Sequence, residues 1–315
     1  MEEDDKSQKF NSLLQKALVE KGINVIENEN LERGVEIGRG AFGKVYKGVY
    51  KGEHEVAIKK LLFDINDKEI KEIELNAKVV EIMNEIEVVE CAKHENIPVF
   101  YGIWRRKSKK KPGKTTLNLV FEFVDGPMLV DYYKNASFND KVELLIQLVT
   151  ILEFMHSKKL IHRDIKPGNV IIRKKDNMVK LIDFGTSKMA KNTSTNTATA
   201  AGTVSYMPPE AFSVELSKPG EEREDGKILE ITPKYDIWSM GCMISEIFSG
   251  VLPWTNKFKG QFGIQNQLIK KAEFPLPKNI PQEVVPTIKG CLEVDVNKRF
   301  NATQLLESLR SIKKK

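Results

Sequence analysis

The chain holds 315 residues, 41% hydrophobic and 30% charged, with 50 Lys and Arg against 44 Asp and Glu. That is enough for one large domain or two lobes with a sizeable core, and no stretch approaches the roughly 20 apolar residues that span a bilayer. Three cysteines, Cys91, Cys242 and Cys291, are odd in number and lack metal-ligand spacing, which excludes a disulfide framework; the acidic start MEEDD, with Glu2, argues against a secretory leader and N-myristoylation, so the expected compartment is the cytoplasm or the nucleus.

In chain order, SQKFNSLLQKALVEK (7–21) sets Phe10, Leu13, Leu14 and Leu18 at helical spacing before Gly22, predicting a short amphipathic helix packed on the main body. From 35 to 60 the apolar residues alternate through VEIGRGAFGKVYKGVY and EVAIKK around the turn-like KGEH, an antiparallel meander with glycines between strands. Residues 67–92 are charge-rich with periodic Ile, Leu, Val and Met and read as a long helix. NLVFEFV reads as a strand and KVELLIQLVTILEFMHSK as a strongly periodic helix. Helices dominate beyond about residue 126, so the fold class is α+β in two lobes, with the boundary near VDGPM (124–128). There is no internal repeat.

The net charge of +6 is local. Arg105, Arg106, Lys107, Lys109, Lys110, Lys111 and Lys114 fall in one ten-residue stretch, and without these seven the +6 becomes −1. RRKSKKKPGK therefore reads as a solvated hairpin tip, with a nuclear-import signal or a docking site for an acidic partner at 105–114 as the functional alternatives. No basic face with interleaved aromatics exists elsewhere, so neither a nucleic acid nor a membrane is an expected partner.

GRGAFGKV supplies Gly38, Gly40 and Gly43, whose missing side chains let backbone amides approach phosphate oxygens. A second strand follows at once, which argues against a strand-to-helix dinucleotide site. In VAIKK, alternation turns Ala57 and Lys59 to one face. Lys59 could reach the phosphates if a carboxylate held it, and Glu81, Glu85, Glu87 and Glu90 on the following helix compete for that role. HRDIKPGN offers Asp164 to accept a hydroxyl proton, Lys166 for the transferring phosphoryl group and Asn169 as an oxygen ligand; LIDFG adds Asp183. Phosphoryl transfer asks for positioning and charge compensation, and these residue types meet that demand.

GRGAFGKV, VAIK, HENI, IHRDIKPGN, DFG, GTVSYMPPE and DIWSMG stand in an order that resembles the eukaryotic protein kinase family, over roughly residues 33–312. The resemblance implies a bilobal protein-kinase fold, with a small antiparallel-sheet lobe carrying one main helix (33–123) and a larger mainly helical lobe (124–312). Residues 1–32 would be an N-terminal extension and 313–315 a basic tail. It implies ATP in the cleft, Mg²⁺ with Mn²⁺ as an alternative, and a protein Ser/Thr acceptor. Its spacing from the helix glutamate to HENI selects Glu85. In the same register Phe121 matches the gatekeeper, Glu122, Phe123 and Val124 the hinge, and Val45, Ala57 and Ile171 the residues that sandwich adenine. Val89, Phe100, His162 and Phe184 match the apolar column, so His162 is structural and not a catalytic base. Glu210 and Arg299 match a buried ion pair, and Asp236 the aspartate that braces the catalytic loop.

The likeness also implies regulation. Arg163 matches the arginine that receives an activation-segment phosphate, which makes Thr193, Ser194, Thr195, Thr197 and Thr199 candidate phosphosites; Thr203 matches the threonine of the substrate shelf. Lys166, two residues after Asp164, places the chain with the serine/threonine type. Extra residues within SVELSKPGEEREDGKILEIT, with GTVSYMPPE and TPKYDIWSMG, are locally similar to the spindle-checkpoint dual-specificity kinases, which usually lack the arginine present as Arg163. A pseudokinase or scaffold that binds ATP or a partner without turnover is the alternative from another class. A small-molecule or lipid kinase is disfavoured by Lys166 and the shelf sequence.

Overall fold

A computed structural model describes residues 2–40, 43–61, 72–107, 115–184, 187–189, 204–215, 231–258 and 260–313. The chain divides into two compact units, Met1–Val124 and Asp125–Lys315.

The first unit contains helix α1 (Glu2–Glu20), strand β1 (Val25–Ile26), β2 (Leu31–Gly40), β3 (Gly43–Tyr50), β4 (His54–Lys60), helix α2 (Glu72–Cys91), β5 (Phe100–Lys107) and β6 (Thr115–Glu122). Its sheet runs β1-β5-β6-β4-β3-β2. Five strands pair antiparallel, as alternation predicts; the sixth, β1, joins the edge parallel to β5, with Val25 opposite Ile103. The sheet is therefore mixed, a departure from the expected all-antiparallel lobe. Gly102 permits the addition: at φ 137° it lies in a region side chains avoid, and a Cβ there would sit 2.3 Å from the Asn24 carbonyl oxygen, which accepts the Ile103 amide at 2.9 Å.

Alternation gives each sheet face its own core. One face sets Leu61, Ile103, Leu117 and Leu119 against Val79, Ile82 and Ile86 of α2 and Phe10, Leu14 and Leu18 of α1. The other collects Ile26, Leu31, Tyr50, Val56, Ile58, Trp104 and Val120. α1 starts earlier than its apolar periodicity, at Glu2. The first residues of the long helix expected over 67–92 fall outside the described residues; α2 is described from Glu72.

The second unit contains α3 (Leu129–Tyr132), α4 (Phe138–Ser157), β7 (Leu160–Ile161), β8 (Val170–Ile172), β9 (Val179–Leu181), β10 (Lys188–Met189), α5 (Pro209–Glu215), α6 (Lys234–Ser249), α7 (Gly260–Ile269), α8 (Val285–Cys291) and α9 (Ala302–Lys313). Ser137 caps α4 by accepting the Asp140 amide at 3.1 Å, and the helix buries Val142, Leu145, Leu148, Val149, Leu152 and Met155. α6 is buried from Tyr235 to Ile247 and ends at Gly250 in the left-handed region. Gly241 lets α8 lie against it: a Cβ there would fall 2.6 Å from Cys291 Cβ. A short hairpin, β8–β9, and a two-stranded antiparallel pair, β7 with β10, flank the loop that carries Asp164. Cys91, Cys242 and Cys291 are free thiols.

Candidate active site

In the first unit the glycine motif forms a hairpin, with Gly38 opposite Val45 and Gly40 opposite Gly43; its tip, 41–42, lies outside the described residues. Both arms are strands, which is not the strand-to-helix geometry of a dinucleotide fold. Val45 is paired with Lys59, Lys59 with Leu119, and Ala57 with Phe121. Directly opposed residues share a face, so Val45, Ala57, Lys59 and Phe121 all look to the α2 side. There Lys59 Nζ meets Glu85 Oε1 at 3.1 Å, with both side chains largely sequestered. The competing glutamates have other partners: Glu87 meets Lys21 at 3.4 Å and Glu90 meets Lys93 at 2.7 Å, both near the surface. The side chain of Glu81 lies outside the described residues.

Phe121 rests against Phe100, ring centroids 5.3 Å apart, and Val89 is buried nearby in the chain on α2. In the hinge segment the Glu122 amide donates to Val99 O at 2.8 Å and the Phe123 amide to Glu55 O at 3.1 Å. Val124 is buried.

In the second unit Asp164 is the hub. Lys166 Nζ donates to its Oδ2 at 2.7 Å, and Asn169 Nδ2 donates to its backbone oxygen at 2.7 Å and to Oδ2 at 2.8 Å. Asp164 is only 5% exposed. The Asn169 carbonyl oxygen accepts the Ile182 amide at 2.9 Å, which sets Asp183 beside the loop; Asp183 has φ 66°, a strained value for a residue with a side chain. Ile171 pairs with Lys180 and bridges to Met128.

Beneath this loop Asp236, fully buried on α6, accepts the His162 amide at 2.9 Å and the Arg163 amide at 2.8 Å, with His156 Nε2 also at 2.9 Å. Burial pushes its carboxyl up, but the bond and charge of His156 and the Arg163 amide outweigh it and hold the carboxyl below the ordinary range. Arg163 is thereby fixed at φ 69°. His162 is buried, its ring centroid 5.0 Å from that of Phe184 in an edge-to-face contact, and burial lowers its pKa. A neutral, enclosed imidazole suits the structural part expected of it. Arg299, 1% exposed, forks onto Glu210 at 2.6 and 3.0 Å and stacks over Trp238 at 5.0 Å.

Thr193, Ser194, Thr195, Thr197, Thr199 and Thr203 lie outside the described residues, as does 108–114 of the basic stretch. Arg105 of that stretch turns inward instead of into solvent: its guanidinium donates to Gln15 Oε1 at 3.0 Å and Asn11 Oδ1 at 2.6 Å. Sequence reasoning missed His156, six positions before His162, and Glu246, which takes the hydroxyls of Tyr133 (3.1 Å) and Tyr206. Burial and Glu246 push the Tyr133 phenol up to about 12, and burial raises the Glu246 carboxyl.

Over residues 31–309 the sequence matches the protein kinase domain. The chain belongs to the protein kinase family. The kinase domain is 30% identical over 285 residues to mitogen-activated protein kinase kinase kinase 2 of Arabidopsis thaliana, covering 87% of this chain and 40% of that protein. It is 28% identical over 293 residues to probable serine/threonine-protein kinase kinX of Dictyostelium discoideum (91% and 24%), and 30% identical over 283 residues to serine/threonine-protein kinase chk-2 of Caenorhabditis elegans (86% and 54%). The likeness is to the serine/threonine type, and the chain spans 24 to 54% of the length of these relatives. Kinases of this family use ATP with a divalent metal, generally Mg²⁺, and act on proteins. Among the described residues no helix is long and apolar enough to cross a membrane.

Proposed function

We propose that this kinase domain transfers the γ-phosphoryl group of ATP to serine or threonine hydroxyls of protein substrates. The observation that carries the reading is the Asp164 cluster: one buried carboxylate shared by Lys166 at 2.7 Å and Asn169 at 2.8 Å on a turn fixed by Asp236. A lone capping aspartate would need no cation and no amide on the same oxygen.

Asp164 orients the incoming hydroxyl and takes up its proton, while Lys166 compensates charge on the phosphoryl group. Lys59, held by Glu85, grips the α- and β-phosphates, and the backbone of Gly38, Gly40 and Gly43 covers them. In the first unit Val45 and Ala57 offer apolar surface to adenine on the face that also carries Phe121; because the Glu122 and Phe123 amides already donate within the unit, Val124 is the hinge residue left to donate to the base. Asn169 and Asp183 would hold Mg²⁺, which would supply charge neutralisation on the phosphates. Its fit follows from the donor set: Asn169 commits its amide nitrogen to Asp164, leaving its oxygen as the ligand atom, and Asp183 supplies a carboxylate. Arg163 and the hydroxyl-rich segment provide the phosphate-dependent control, and the cytoplasm or nucleus remains the proposed location.

Asp164→Asn tests the reading directly. Phosphotransfer to a generic protein acceptor should fall by on the order of 10³-fold or more, with ATP affinity held within a few-fold. Undiminished turnover refutes the assignment of Asp164.

A further inference from the structure

Helix α1 lies wholly outside the stretch that matches the protein kinase domain, which begins at residue 31, yet it is part of the first unit's core. Phe10, Leu14 and Leu18, at successive helical turns, are 2%, 1% and 0% exposed. They share one apolar cluster with Val79, Ile82 and Ile86 of α2. Ile82 and Ile86 stand on either side of Glu85 in the sequence of that helix, so the surface that α1 grips is the one that sets the rotation of α2 about its own axis.

Polar fastenings reinforce the grip. Asn11 and Gln15, four apart and so on one face of α1, both accept from the guanidinium of Arg105 on β5, at 2.6 and 3.0 Å. Burial lowers the Arg105 pKa, as expected of a cation held between helix and sheet. At the end of α1 the Ile23 amide donates to Leu18 O at 2.9 Å, and the next residues enter the sheet as β1, with Asn24 O taking the Ile103 amide. The helix is thus anchored to the sheet at its middle and its end while its apolar stripe bears on α2.

We propose that α1 is a built-in strut for α2, which holds that helix at the rotation delivering Glu85 to Lys59. Asn11, Leu14, Gln15 and Leu18 are positioning residues that act through the ion pair. The proposal rests on Lys59–Glu85 being the phosphate-holding pair. A 20-residue helix with apolar residues on its α1 side has no reason to keep one rotation if that side is left open to water. A strut carried in the same chain removes the need for a separate partner to cover it.

The test uses the full chain in four forms: wild type, Leu14→Ala with Leu18→Ala, Asn11→Ala with Gln15→Ala, and Leu14→Met with Leu18→Met. Amide hydrogen exchange is read separately over α2 and over α6. Phosphotransfer is measured as kcat and as KM for ATP, and thermal melting verifies that each form is folded. Both alanine pairs should lower α2 protection and kcat by about tenfold with α6 protection unchanged, and the methionine pair should restore both. A cycle with Glu85→Gln separates positioning from general loosening: on that background the alanine pairs should cost no further kcat. Full α2 protection in the alanine forms, or losses that multiply with Glu85→Gln, overturn the strut. If wild type shows no phosphotransfer, the kinase reading fails instead, and the exchange data still decide whether α1 holds α2.

Discussion

Asp236→Asn is the sharpest probe of how the catalytic turn is held. The carboxylate takes three donors: the His162 amide and His156 Nε2 on Oδ2 at 2.9 Å each, and the Arg163 amide on Oδ1 at 2.8 Å. Asparagine is nearly isosteric but keeps one acceptor oxygen. If that oxygen replaces Oδ2, the Arg163 amide faces an NH₂ group, so one charge-assisted bond worth about 1.5–3 kcal/mol is lost and a buried donor is left unmet. The two bonds that survive drop to neutral strength, roughly half. The expected destabilisation is about 3–4 kcal/mol, a large share of the ~5–15 kcal/mol that holds a typical domain. With a urea slope of about 2 kcal/mol/M the midpoint should fall by roughly 2 M, read by fluorescence of the buried Trp238 and Trp254 in the same unit. Arg163 would lose the bond that keeps it at φ 69°, and its neighbour Asp164 would lose its aim, lowering kcat by about 10²-fold. A midpoint within about 0.3 M of wild type, together with kcat within about twofold, would show that Asp236 does not hold the turn.

Two further outcomes follow from burial. The His162 pKa is lowered in the folded chain, so the unfolded chain takes up a proton below about pH 6.5 that the folded one refuses; the corresponding stability is present above that pH and is lost as pH falls from it. Urea midpoints measured from pH 7.5 to 5 should decline in wild type and flatten in His162→Phe, and parallel profiles would contradict the burial argument. Gly241→Ala places a methyl group 2.6 Å from Cys291 Cβ and 2.8 Å from Leu292 Cγ, which should cost about 1–3 kcal/mol in urea denaturation as α8 is pushed off α6; a neutral substitution would mean that the two helices have slack between them.

What could be read from the sequence and what could not divide along one physical line. The catalytic turn was legible because its chemistry is local: Asp164, Lys166 and Asn169 lie within six residues, and their hydrogen bonds close a loop too short to rearrange. The strands β2, β3, β4 and β6 were legible because alternation sorts their two faces into separate cores. Lys59 could be assigned a face, but composition and periodicity left four glutamates on one helix in competition, and it was the family resemblance, through the spacing to HENI, that selected Glu85. Only the burial of Ile82 and Ile86 fixes the rotation that brings Glu85 inward while Glu87 and Glu90 pair at the surface.

The misreadings have the same origin. β1 is two residues long and has no period to detect; it exists because Gly102, far along the chain, lets the backbone approach Asn24. Arg105 looked like one of seven solvated cations, and its neutral partners Asn11 and Gln15 carried no charge pattern to betray the pairing. Glu246 looked like any helix glutamate until Tyr133 and Tyr206 were brought to it from two other segments. In each case a side chain's environment is set by an element dozens of residues away, so local composition is silent about it. The N-terminal helix shows the consequence most clearly. Its amphipathic stripe announced that it would pack, but an apolar stripe is compatible with any apolar surface. That its target is the helix carrying Glu85, and that an arginine on β5 clamps it there, is information held by the sheet's register and not by the helix itself.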